Sequence, residues 1–262
     1  MIGAAIGDVV GSRFEFHNHK SKDFPLFTPN CHFTDDTVLT AAIAVAVMAH
    51  KEHNVPLDKM ATLWMQKIGR DYPSAGYGCM FSGWLYSVNH EPYDSYGNGA
   101  AMRVSACGWA ANSLSEALRM SNEVTKVTHN HPLGLEGAAM TTAAIYLCRQ
   151  GKSKETIKEY IEGHSSYKFY QTIDEIRPLY CFDETCQGTV PVALQCFFES
   201  QDFVDCLRLA ISVGGDSDTL AAIACSIAEA YYGVPLHVRE EVNKYLPKSF
   251  QDIFEEFEMR FE

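Results

Sequence analysis

Apolar residues recur at three- and four-residue spacing along most of the chain, and strict two-residue alternation is almost absent. That pattern predicts helices and argues against a sheet. Helices are expected over 1–11, 36–50, 58–70, 100–120, 135–150, 153–164, 188–199, 202–213, 218–232, 236–246 and 249–258. Turn-forming clusters separate them: Pro25 and Pro29, Tyr72-Pro73-Ser74-Ala75-Gly76-Tyr77-Gly78, Ser95-Tyr96-Gly97-Asn98-Gly99, and Gly214-Gly215. The stretch 165–187 is rich in Tyr and Phe and keeps no period. It reads as an extended loop over the core, with its aromatics as packing. The fold class is therefore all-α. No low-complexity linker divides the 262 residues, so one domain over 1–262 is expected.

Composition adds two constraints. Hydrophobic residues make up 47% of the chain, enough for a sizeable core, which excludes global disorder. Lysine and arginine number 21 against 33 acidic residues, a net charge of -12, so non-specific nucleic-acid binding through phosphate neutralisation is not expected. A metal site built from carboxylates suits that balance. The longest apolar run, 38–49, is well short of the roughly 20 residues a membrane helix needs. With no charged-then-apolar leader read at the start, a soluble, cytoplasmic protein is expected. Nine cysteines, an odd number with no CxxC pair, read as reduced and mostly buried thiols.

Two distant segments share a design: Thr34-Asp35-Asp36-Thr37-Val38-Leu39 and Asp216-Ser217-Asp218-Thr219-Leu220-Ala221. Each puts acids and a threonine at the start of a strongly apolar helix. Asp and Thr are ordinary N-caps, and capping accounts for one acid per helix. It leaves the second acid without a role, and crowded carboxylates repel unless something neutralises them. If the two helices pack side by side, Asp35, Asp36, Asp216 and Asp218 meet, and one or two divalent cations would offset the repulsion. Carboxylate and hydroxyl oxygens are hard donors that suit magnesium or manganese. On spacing alone, paired capping boxes remain an equal alternative.

Three further segments gain interest beside these two. Small residues at 3, 4, 5, 7 and 11 permit close helix approach, a packing role, and Glu15 falls just past that helix. Gly97-Asn98-Gly99-Ala100-Ala101-Met102-Arg103 sets a glycine-flanked turn before a helix, where free amides could meet an anion such as a pyrophosphate. Thr128-His129-Asn130-His131-Pro132 is a polar loop whose histidines read as hydrogen-bonding residues more readily than as a zinc pair.

Taken in order, Gly-Asp-Val-Val-Gly-Ser-Arg-Phe-Glu (7–15), Phe-Thr-Asp-Asp-Thr (33–37), Tyr-Gly-Asn-Gly-Ala-Ala-Met-Arg (96–103), Thr-His-Asn-His-Pro (128–132) and Gly-Gly-Asp-Ser-Asp-Thr (214–219) resemble the ADP-ribosylglycohydrolase family. The resemblance spans nearly the whole chain. It implies a compact orthogonal helical bundle with a centre of two magnesium or manganese ions in a cleft that takes ADP-ribose. Carried onto this sequence, the metal ligands are Thr34, Asp35, Asp36, Asp216, Asp218 and Thr219, and Glu15 matches the family's mobile glutamate. Ser95, Tyr96, Gly97, Asn98, Gly99 and Met102 would line the diphosphate and ribose, with His129 near the adenosine diphosphate; Gly76 and Gly78 look like a further glycine loop. No metal-motif position is missing.

The activity so implied is metal-dependent hydrolysis at the anomeric carbon of the distal ribose, with Glu15, Asp35, Asp36 and Asp218 as the catalytic group. The substrate is an ADP-ribosylated protein or a small ADP-ribose conjugate, with arginine, serine and acetyl linkages all open. Selectivity is expected in 165–187. Two other readings stand beside it: a magnesium-dependent nucleotide phosphohydrolase, and a non-enzymatic ADP-ribose binder related to crystallins. No heptad seam or long exposed apolar stripe suggests an assembly, so a monomer is expected.

Overall fold

Two helices with almost no polar face form the centre of the molecule. The computed structural model describes residues 1–261, and in it every residue of α1 (Ile2–Gly11) is buried. After a 3-10 turn, Ser12–Phe14, the chain continues through α2 (Asp35–His53), α3 (Leu57–Asp71), α4 (Cys79–Tyr86), α5 (Gly99–Met102), α6 (Ser105–Ala110) and α7 (Leu114–Thr125). Next come α8 (Pro132–Arg149), α9 (Lys154–His164), α10 (Ile173–Ile176), α11 (Cys186–Glu199), α12 (Phe203–Val213), α13 (Ser217–Tyr232), α14 (Leu236–Val242) and α15 (Lys248–Phe261). The fold is all-α as expected, and a lone antiparallel bridge between Gly97 and Thr185 is its nearest approach to a sheet among the described residues.

α1 packs along α13, the most extensive helix pairing in the molecule. The small residues read from the sequence make this possible. A Cβ on Gly3 would stand 2.5 Å from the Cys225 carbonyl oxygen, on Gly7 2.3 Å from the Ala221 backbone, and on Gly11 2.6 Å from Asp218 Cα. Only hydrogen fits in that seam, so the two backbones run close enough to fix what lies at their ends. One contiguous hydrophobic cluster reaches from Met1 to Phe257.

The helix starts explain much of the remaining order. Ser113, Ser153, Thr185 and Asp202 each accept a hydrogen bond from an amide of the first turn that would otherwise be unpaired, at the heads of α7, α9, α11 and α12. No helix of the described residues is long and apolar enough to cross a membrane. All nine cysteines are free thiols, and all but Cys79 and Cys181 are buried.

Three expectations need correction. The helix read over 100–120 is three pieces, α5, α6 and α7: residues 100–111 are buried almost throughout, so no periodic face marks the break between α5 and α6. The chain turns at Arg103 and Val104, and Ser113 caps a new start by accepting from the Glu116 amide at 3.1 Å. α4 went unread because of its neighbouring glycines, yet it buries Phe81, Trp84 and Leu85. Within 165–187 the chain makes one helical turn, α10, opened by a Thr172–Glu175 capping box whose T-x-x-E signature is visible in the sequence. The rest of that stretch is loop as expected. Tyr167 and Phe169 pack inside, whereas Tyr170 and Leu179 are exposed.

Candidate active site

The close seam between α1 and α13 sets three acids around one point. Glu15, just past the turn that follows α1, offers a carboxylate oxygen within 4.8 Å of those of Asp216 and Asp218 at the head of α13. The segment bearing Glu15 is tied in place downstream. Asn18 Oδ1 accepts from the Gly215 amide, and Lys20 Nζ donates to the carbonyls of Arg177 at 2.9 Å and Tyr180 at 2.8 Å. Gly214 and Gly215 both adopt positive φ (74°), so the chain can turn sharply into Asp216.

The head of α2 joins the same point. Thr219 Oγ1 donates to Asp36 Oδ2 at 3.0 Å, which links the two acid-bearing helix starts directly. Thr34 caps α2, accepting from the Asp36 amide at 3.4 Å, and gives its own proton to Asp8 Oδ1 at 2.8 Å. The Asp35 amide donates to the Ala75 carbonyl at 2.8 Å, and a Cβ on Gly76 would stand 3.6 Å from Asp35 Oδ1. The structure thus ties Asp36 to the head of α13 through Thr219, while the acids whose oxygens lie within 4.8 Å of one another are Glu15, Asp216 and Asp218. Gly78 immediately precedes α4, and a Cβ there would meet open space.

Asp8 is the residue that sequence reasoning missed. Fully buried in α1, it accepts from the Thr34 amide at 2.9 Å, the Thr34 hydroxyl, the Thr37 amide at 3.0 Å and the Thr37 hydroxyl. It serves as a capping carboxylate supplied to α2 from another helix, and it fixes the direction in which Asp35 and Asp36 leave the backbone. The available signal was an acid in an otherwise wholly apolar helix, where an ionisable group is rarely left without partners.

Burial and mutual repulsion dominate the electrostatics. Desolvation first, then the fields of Asp216, Asp8 and Glu184, push Glu15 up to about 7. Asp35 rises to about 8 through burial, then Asp8, Asp216 and Glu15. Asp36 and Asp218 are raised well above the ordinary carboxylate range, burial leading and the neighbouring acids adding to it. Two buried oxygens, Asp36 Oδ1 and Asp218 Oδ1, have no hydrogen-bond partner. An all-oxygen donor set with orphaned lone pairs and no local cation fits a hard divalent ion. A cleft of about 480 Å³ adjoins Glu15, lined also by Ser12, Arg13, Phe16, His17, Asn30 and His32.

The glycine turn meets the acids through Asn98, whose Nδ2 donates to Asp216 Oδ2 at 2.6 Å and to Thr189 Oγ1 at 3.1 Å. The expectation of several free amides here is corrected. Gly97 N donates to Ser95 Oγ at 3.1 Å, Asn98 N to the Glu184 carbonyl at 2.7 Å, and Ala100 to Met102 bond back within the turn, so Gly99 N alone of 97–102 is left free within its turn. Met102 is buried, and Tyr96 is exposed with its ring 5.1 Å from that of His131. His129 is buried beneath the turn, its Nε2 3.6 Å from a Cβ built on Gly97 and 3.5 Å from one on Gly99. Burial, then the Arg103 cation, hold its pKa well below the usual imidazole range. As expected of hydrogen-bonding loop residues, His131 Nδ1 accepts from the Leu133 amide at 3.2 Å, capping α8, and Asn130 Oδ1 accepts from the Asp94 amide at 2.7 Å.

Comparison with known proteins is consistent with this geometry. The family model described as ADP-ribosylglycohydrolase matches residues 1–261. Mouse (Mus musculus) ADP-ribosylhydrolase ARH3 is 27% identical, over 98% of this chain and 87% of the relative. ADP-ribosylarginine hydrolase Tri1 of Pseudomonas putida (strain GB-1) is 26% identical, over 97% and 76%. The ADP-ribosyl-dinitrogen reductase glycohydrolase of Rhodospirillum rubrum is 25% identical, over 89% and 84%. Among solved structures, a chain of an ADP-ribosylglycohydrolase-related protein complex aligns with a TM-score of 0.67 at 22% identity, covering 95% of this chain and 93% of that one, which supports the fold.

Proposed function

Because the chain belongs to the ADP-ribosylglycohydrolase family, we propose that it hydrolyses the glycosidic bond at the anomeric carbon of the distal ribose in ADP-ribosylated substrates, releasing ADP-ribose. Membership places it among the ADP-ribosyl hydrolases; the bond, the metal and the residue roles are our reading. The observation that carries it is the joining of two acid-bearing helix starts by Thr219 and Asp36, with Asp36 Oδ1 and Asp218 Oδ1 left without partners. Thr34, Asp35, Asp36, Asp216, Asp218 and Thr219 would hold two magnesium or manganese ions. Bound there, the ions would neutralise the carboxylates, polarise the ribose hydroxyls and make a water molecule more acidic.

The side chains do the rest. Burial and then the neighbouring acids raise Glu15 in the metal-free chain; with cations neutralising those acids it would be held as a carboxylate, which suits a general base that takes a proton from the attacking water as the anomeric carbon gains oxocarbenium character. Asn98, bonded to Asp216, keeps the glycine turn against the acidic group, so a diphosphate along Gly97 and Gly99 would present its distal ribose to the carboxylates. Ser95, Tyr96, Met102 and His129 complete that side, and Gly76 leaves room beside Asp35. The nine free thiols support a reducing, cytoplasmic setting. We take 1–262 as one domain and a monomer, with ADP-ribosylated protein or small ADP-ribose conjugates as substrates.

The test is to incubate the purified protein with arginine-, serine- and acetyl-linked ADP-ribose in the presence of magnesium, manganese or chelator, and to identify the products by mass spectrometry. Metal-dependent release of free ADP-ribose is expected, and the productive substrate names the linkage. Release of inorganic phosphate would replace the reading with a nucleotide phosphohydrolase. Binding of every substrate without turnover would replace it with a non-enzymatic binder.

A further inference from the structure

Arg103 stands fully buried at the break between α5 and α6, with no carboxylate bonded to it among the described residues. Its Nη2 donates to Thr128 Oγ1 at 2.6 Å and lies 3.5 Å from His129 Nδ1, whereas Nε and Nη1 have no partner. Thr128 Oγ1 is in turn 2.8 Å from His129 Nδ1. A guanidinium can only donate, so the Thr128 oxygen accepts from it and directs its own proton elsewhere. His129 Nδ1, at 2.8 Å, is the near acceptor, the Tyr93 hydroxyl also faces Thr128, and the Thr125 carbonyl is distant at 3.5 Å; Arg103 Nη2, which can only donate, stands 3.5 Å from Nδ1 and likewise requires that nitrogen to accept. A ring nitrogen that accepts carries no proton, so the neutral imidazole holds its hydrogen on Nε2. That nitrogen has no hydrogen-bond partner among the described residues and faces Gly97 and Gly99, where the missing side chains leave room.

We propose that Arg103 is a positioning residue which, through Thr128, locks His129 as a neutral Nε2–H donor aimed at an anionic diphosphate lying along Gly97–Gly99. The proposal rests on the reading of the glycine turn as part of an ADP-ribose site. It also accounts for the buried guanidinium. A cation without a bonded counter-charge in the interior is costly to stability, and a diphosphate beyond His129 would add to the field of Asp35, which reaches Arg103 without bonding to it.

The experiment uses the full chain. Nitrogen-15 NMR of the imidazole at about pH 7 reports which ring nitrogen is protonated in neutral His129, with His129→Gln assigning the signal. Calorimetric titration with ADP-ribose, ADP and adenosine follows for the native chain, Thr128→Val and Arg103→Lys. We expect the native ring to carry its proton on Nε2, and Thr128→Val, which leaves only the 3.5 Å approach of Arg103 Nη2 to Nδ1, to hold it there less completely. Thr128→Val should weaken ADP-ribose and ADP binding about tenfold while changing adenosine by less than about twofold. Arg103→Lys, which keeps a charged donor, should fall between the two. A proton on Nδ1 in the native protein would overturn the relay, as would ADP-ribose affinity unaffected by Thr128→Val. A native chain that binds neither ADP-ribose nor ADP would overturn the diphosphate assignment together with the reading beneath it, while the NMR result would still decide the tautomer.

Discussion

The acidic group at the helix heads and the region behind the glycine turn carry opposite unmet charges. At the heads of α2 and α13, the side chains of Asp36, Asp216 and Asp218 are buried beside Glu15 and Asp35, and burial, then repulsion, raises Glu15, Asp35, Asp36 and Asp218. Behind Gly97–Gly99, a fully buried guanidinium has a threonine and a histidine for company, and burial lowers it to about 10. Each side would be a defect by itself. Together they describe a ligand set: cations for the first and an anion for the second, with Asn98 bridging to Asp216 to keep the two in register. Neither side closes its own account of charge, which is the expected signature of a binding site more than of a core.

The largest effect should follow from breaking the acidic side. Asp218→Ala is expected to lower turnover by about a thousandfold. The same change should raise the melting temperature of the metal-free protein by about 2–4 °C, because a repelling buried acid has gone. Full activity in that variant would sink the metal assignment. Glu15→Gln is expected to cost about a hundredfold in turnover, while manganese still raises the melting temperature as in the native chain. Unchanged turnover would remove the general base and leave the family assignment standing.

Asp8 makes the comparison sharper, since it touches the acidic side from below. Asp8→Asn replaces an acceptor of four hydrogen bonds by a group that must also donate, and should destabilise by about 2–3 kcal/mol in a denaturant titration. An unaltered midpoint would mean that α2 is held at its head by other contacts.

A gentler probe is pH. Glu15 and Asp35 are raised to about 7 and about 8 from ordinary values of 4.5 and 3.8, so between those limits the folded chain holds protons the unfolded chain has released. Their contribution is fully present below the ordinary values and is lost as pH rises through the raised ones. Metal-free stability should therefore fall from about pH 5 to about pH 8. Saturating magnesium or manganese should reverse that slope, because the ion binds the deprotonated acids. A flat metal-free profile would contradict the crowding. The smallest effect belongs to Gly78→Ala, for which a Cβ meets nothing and both activity and stability should stay as they are.

Much of the acidic side was legible in the sequence, because its acids sit next to helix-start threonines and two such segments repeat the design. Asp8 was not, since its four donors come from a segment 26 to 29 residues away, and only the fold brings them together. The seam was half legible: glycines at 3, 7 and 11 implied close packing, but not which helix would press against them. On the other side, the run through Arg103 read as one helix, and no role was read for its charge. Tertiary contacts turn that residue inward and break the helix there, which propensity and period alone cannot foresee. The capping box at Thr172 and Glu175 was readable and marks the one turn inside the long aromatic loop.

The most direct measurement is a crystal structure of the protein with manganese and ADP-ribose, using anomalous scattering to locate the metal. The account expects anomalous peaks between Asp35 and Asp36 on one helix start and Asp216 and Asp218 on the other, with the diphosphate along Gly97–Gly99 within hydrogen-bonding distance of His129 Nε2. Metal bound away from those four aspartates, or a diphosphate that avoids the glycine turn while the ribose is bound, would contradict it.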